Sequence, residues 1–126
     1  MVSLAGLAGC DVYTPRRKVI GHYYLVQWQE THYYLVDDRK GALPNNVVFE
    51  GTVEKLAWSD RYIAAWRRPG SDQDTRGWMV IDSVAGRIEG PLSSEEFERR
   101  VAAKEFGALE PLSVDQAWSK LSWAAW

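Results

Sequence analysis

Two histidines, one cysteine and a scatter of carboxylates are the residues in this 126-residue chain whose types lend themselves to chemistry. His22 and His32 open the same pentapeptide, His-Tyr-Tyr-Leu-Val, which occurs at 22–26 and again at 32–36. Runs this rich in Val, Tyr and Leu favour strand, and Gln29-Glu30 between them suits a turn, so the spacing predicts a hairpin. A two- or four-residue loop would set His22 opposite Asp37 and Gln27 opposite His32. An imidazole facing a carboxylate across two strands is the arrangement that orients a general base. The sequence offers no nucleophile or third member beside that pair, so both histidines are read as packed or edge residues first. Glu30, Asp37 and Asp38 lie near them but lack metal-ligand spacing. Asp72 and Asp74, in a polar loop, lack the graded ligand positions of a calcium loop. No metal and no cofactor is expected.

The single cysteine excludes an internal disulfide and a cysteine zinc cluster. Its flank carries more information: Leu7-Ala8-Gly9-Cys10 is a branched aliphatic residue, two small residues and a thiol. That order resembles the lipobox of bacterial lipoproteins, in which small residues let a peptidase grip the extended backbone and the thiol forms a thioether to diacylglycerol. The resemblance implies a residual signal peptide over 1–9, a lipidated cysteine and polar tether over 10–18, and one folded domain over 19–126. It also implies a place on the extracytoplasmic or periplasmic face of the cell membrane. Asp11, directly after the cysteine, is similar to the inner-membrane retention signal of Gram-negative lipoproteins. The departure is that Met1 to Gly9 contains no Lys or Arg, whereas a signal peptide begins with a basic region. The basic part is therefore expected upstream of Met1. The alternative is a cytoplasmic protein with a chance match.

Composition narrows the functional classes. Net charge is −2, and the basic residues fall in short pairs (Arg16-Arg17, Arg67-Arg68, Arg99-Arg100) rather than in a stripe, so no nucleic-acid partner is expected. Seven tryptophans and six tyrosines fit a β-rich core or a surface with aromatic anchors.

These residues must be positioned by a succession of short extended runs. Lys18 to Trp28, His32 to Asp37, Val53 to Trp58, Arg61 to Trp66, Trp78 to Asp82 and Arg87 to Glu89 read as strands, with Ser59-Asp60 and Ala85-Gly86 as turns. Two helix starts follow. Ser93 with Glu96 forms one capping box, flanked by a Leu92/Phe97 staple, with Gly107 as the stop. Ser113 with Gln116 forms another, opening a helix that runs to the C-terminus. On that helix Val114, Ala117, Trp118, Leu121 and Ala125 share one face, while Trp123 lies opposite and Trp126 lies off the stripe. The expected fold class is α+β: a curved antiparallel β-meander of about five to seven strands with two C-terminal helices. The segment Trp78 to Phe97, with Gly90-Pro91-Leu92-Ser93, resembles the Gly-Pro turn of GYF-type domains, which implies recognition of proline-rich peptides on an aromatic surface.

The functional expectation is a non-catalytic, lipid-anchored envelope protein that binds another protein, after the manner of immunity or inhibitor lipoproteins. Trp123 and Trp126 are its candidate partner-binding residues. The alternative is a small-ligand-binding or hydrolytic domain using His22 and Asp37.

Overall fold

The computed structural model describes residues 15–29, 32–49, 51–68 and 76–121. Cys10, Asp11, Asp72, Asp74, Trp123, Ala125 and Trp126, all singled out above, lie outside them. Within these residues the chain is α+β and all its strand pairings are antiparallel. The expected single meander is corrected: eight strands form two sheets. The first sheet has the order β1 (Arg16–Ile20), β2 (Tyr23–Trp28), β3 (His32–Asp37). The second has the order β7 (Arg87–Leu92), β6 (Gly77–Asp82), β5 (Tyr62–Arg68), β4 (Thr52–Trp58), β8 (Leu112–Ser113). Arg16 to Lys18, which the sequence assigned to a tether, belong to β1. Two helices close the described chain, α1 (Ser94–Ala102) and α2 (Val114–Lys120).

Period-two alternation explains how these elements stack. Along β5 and β6, Ile63, Ala65, Met79 and Ile81 enter one cluster, while Ala64, Trp78 and Val80 enter another. The second sheet is therefore buried on both faces, and β6 is buried at every position. Its first face meets the first sheet: Tyr23 and Leu25 of β2 and Tyr33 and Leu35 of β3 share a cluster with Val53, Leu56 and Ile63. Its second face meets α1, where Phe97 stacks on Trp78 with ring centroids 4.1 Å apart and planes 13° from parallel. Such a pair adds about 0.5–1.5 kcal/mol to the burial of the two rings. The order of layers is thus first sheet, second sheet, α1.

The repeated pentapeptide follows the same logic. Leu25 pairs with Leu35, so Tyr23, Leu25, Tyr33 and Leu35 point into the shared core, while Tyr24, Val26, Tyr34 and Val36 lie on the opposite face, where Val26 and Val36 are buried nonetheless. The two copies meet the same layers, as their likeness implies.

Both caps form where the sequence placed them. The Ser93 side chain accepts from the Glu96 amide, and Ser113 and Gln116 complete a reciprocal capping box. Two boundaries differ. α1 ends at Ala102 rather than at Gly107, and Lys104 (φ 63°) and Gly107 (φ 76°) turn the chain back so that Phe106 packs near Phe97. α2 ends at Lys120, where the extended backbone of Leu121 (ψ 148°) closes it. Arg17, on the inward side of β1, lies over the Trp118 ring at 4.5 Å and donates to the Trp118 and Leu121 carbonyls. A guanidinium there satisfies carbonyls that the helix leaves without amide partners and complements the helix dipole.

Gly90-Pro91 forms no turn before α1. The dipeptide lies inside β7, an edge strand, at a bulge where it faces Met79 between the Trp78–Leu92 and Val80–Glu89 pairs. An edge bulge accommodates a proline, which has no amide to give the ladder. Gly90 (φ 132°) is obligatory, since a β-carbon would stand 2.5 Å from the Trp78 carbonyl oxygen.

Candidate functional site

The pair best suited by type to acid–base work, His22 with Asp37, is not assembled. The β2–β3 register sets Tyr23 opposite Asp37 and Trp28 opposite His32, one residue away from the expected pairing. Three residues, not two or four, connect the strands, and an odd loop shifts every cross-strand partner by one. His22 consequently falls in the turn between β1 and β2, exposed, with its Nδ1 3.4 Å from Asp38 Oδ1. Gln27 pairs with Tyr33 rather than with His32 and donates to the Tyr33 hydroxyl at 3.1 Å.

Asp37 is otherwise engaged. Only 2% exposed, it accepts from Arg39 Nε at 3.0 Å, from Arg39 Nη2 at 2.8 Å and from the Arg39 amide at 3.0 Å. The Arg39 guanidinium outweighs burial and holds the carboxyl below the usual aspartate range. A carboxylate clasped in this way is a poor base and has no free geometry for orienting His22.

The other embedded carboxylates follow the same pattern. Asp82 takes Arg61 in a two-point pair at 2.9 and 2.7 Å and accepts from the Val84 and Ala85 amides, which holds its carboxyl far below the usual range. Arg100 bridges Glu89, Glu96 and Glu105, and its hydrogen bonds to Glu89 lower that acid. Asp82, Glu89, Arg100 and Glu105 line a small polar hollow of about 180 Å³ between Tyr62 and Phe106. The Arg100 pairs tie β7 and the 103–106 turn to α1, and the Arg61 pair ties the β4–β5 turn to β6. Among the described residues, no group of three or more His, Cys, Asp or Glu side chains is placed to hold a metal ion.

The feature that the sequence did not single out is on the outward face of the first sheet. Chain 41–49 folds back along β3: the Asp37 amide donates to the Asn46 carbonyl, the Val48 amide donates to the Leu35 carbonyl, and Val47 bridges Val36. Between this loop and the sheet lies an open hollow of about 450 Å³ lined by Trp28, Tyr34, Leu43, Pro44 and Val47. Trp28 is 38% exposed, one of three large hydrophobic residues exposed to this degree among the described residues. On the far side of Leu43 a second hollow of about 250 Å³ opens over Val26 and Val36, with Arg16 and Asp38 in its lining. Across the same face, Arg16 and Lys18 of β1 stand opposite Val26 and Tyr24, and the Arg16 guanidinium lies 4.3 Å over the Tyr24 ring.

This face holds an aromatic and aliphatic hollow bordered on one side by Arg16 and Lys18, with Asp38 in the smaller hollow beside it. It can accept apolar groups and anions at its rim. The outward half of the repeated pentapeptide, Tyr24, Val26, Tyr34 and Val36, was the signal available in the sequence. Leu43-Pro44 reads only as loop until the chain is folded back over β3. In comparisons with protein-family models, curated proteins and solved structures, the chain finds no match.

Proposed function

We propose that this chain is a lipid-anchored protein of the bacterial cell envelope that works by binding another protein, without catalysis. Its address is the Leu7-Ala8-Gly9-Cys10 segment, with diacylglycerol on Cys10 and Asp11 acting as the retention signal for the inner membrane. What supports the non-catalytic reading is that the carboxylates Asp37, Asp82 and Glu89 are each held by a paired arginine. The hydrolytic alternative needs His22 and Asp37 in one pocket, whereas Asp37 is occupied by Arg39 and His22 stands in an exposed turn. Size and address together suit an immunity or inhibitor lipoprotein, with Trp123 and Trp126 as anchors for the partner.

Cross-linking in intact cells tests this. A photoreactive residue in place of the exposed Ser119, which leaves Trp123 and Trp126 free to be varied, should give one discrete adduct with an envelope protein. That adduct should fall at least tenfold in Trp123→Ala/Trp126→Ala and persist in His22→Ala, a loss on the order of 1.4 kcal/mol or more in binding. Loss of the adduct in His22→Ala alone would return the hairpin reading to the front.

A further inference from the structure

We infer that the outward face of the first sheet is seated on an anionic phospholipid surface, so that the membrane itself occupies the Trp28 hollow. The inference rests on the lipid-anchor reading of Cys10 and adds to it an orientation. Arg16, the first residue of β1, is six residues from Cys10 and stands on this same face. Even fully extended, six residues span about 20 Å, so the start of β1 is held within that distance of any bilayer that holds Cys10, and the choice of face falls to its composition.

The composition of the face fits that location. Trp28 and Tyr34 have an apolar ring body and a polar tip, the combination that settles in the headgroup layer. Leu43, Pro44 and Val47 line the same hollow and present apolar surface to acyl chains. Arg16 and Lys18 border it on β1, and each basic residue near an anionic leaflet contributes about 1 kcal/mol. Asp38, in the lining of the adjoining smaller hollow, is the acid on this side and lies beside His22. The opposite side of the molecule carries α1, whose exposed acids Glu95, Glu96 and Glu98 outnumber its exposed Arg99, so that side is less suited to an anionic surface. Seating the first sheet on the bilayer turns α1 outward, where a protein partner can reach it.

The test couples the full chain through Cys10, its single cysteine, to maleimide lipid in vesicles of phosphatidylethanolamine and phosphatidylglycerol. Amide hydrogen exchange is compared with the same chain coupled to a soluble polyethylene glycol maleimide. Exchange at 24–28, 34–36 and 42–47 should slow at least tenfold on the vesicles, with α1 unchanged. Trp28→Ala and Lys18→Glu, both at exposed positions that leave the core intact, should each remove most of that protection, as should vesicles of phosphatidylcholine alone. Unchanged exchange on this face, or protection of α1 instead, would overturn the orientation. Because the coupling is chemical, the result stands apart from whether cells acylate Cys10, which lipid labelling reads separately.

Discussion

Asp37 and Asp82 show how a residue's neighbours decide whether it can do chemistry. Each is a carboxylate held below its ordinary range by a paired arginine, Arg39 for Asp37 and Arg61 for Asp82. A depressed folded-state pKa contributes stability that is present above the unfolded value of about 3.9 and is lost as pH falls through the folded value. Thermal unfolding followed by circular dichroism should therefore show a melting temperature that falls from about pH 5 downward. The double variant Asp37→Asn/Asp82→Asn should melt lower at neutral pH and show a shallower acid decline. An unchanged acid slope would mean that other groups govern acid unfolding. Asp37→Ala alone should cost about 2 kcal/mol, because Arg39 loses a charge-assisted partner. Sequence alone could name His22, Asp37 and Arg39 but not their pairing. One residue of loop length between β2 and β3 exchanges a His–Asp pair for a Tyr–Asp pair, and three residues carry no marker that separates them from two or four.

At the scale of elements, the helix starts were the most legible features, because a cap is a local chemical event. Ser113 and its partner Gln116 satisfy one another's backbone amides wherever the helix packs. Ser113→Ala should cost about 1 kcal/mol by denaturant unfolding, with little change in the denaturant slope. Phe97→Ala removes a buried ring stacked on Trp78 and should cost about 3–5 kcal/mol, read in the same way. A cost under about 1 kcal/mol would mean that α1 is not fastened by this stack. Helix ends and strand partners were less legible, since both depend on contacts distant in sequence. α1 stops five residues short of Gly107 because Phe106 returns to the Phe97 cluster and Glu105 to Arg100. Gly90-Pro91 read as a turn, yet lies in β7 because Gly77 leaves room: a β-carbon on it would meet the Pro91 β-carbon at 2.6 Å.

For the whole molecule, alternation announced strands without announcing two sheets. The break lies at 41–49, where the chain folds back on β3 before β4 begins, and β8 is a two-residue strand pairing with β4 from far along the chain. That arrangement buries the second sheet on both faces and leaves the far face of the first sheet covered in part by the 41–49 segment. It is a plan suited to a domain held on one side and read from the other. In the proposed function, Cys10 is the point of attachment. Intact-mass analysis of the protein purified from membranes of the native host, expressed from its full reading frame, tests this most directly. The expected result is a chain that begins at Cys10 and carries diacylglyceryl mass, and a Cys10→Ala variant that lacks the lipid and leaves the membrane fraction. A mature chain that retains Met1 to Gly9 with an unmodified Cys10 thiol would contradict it.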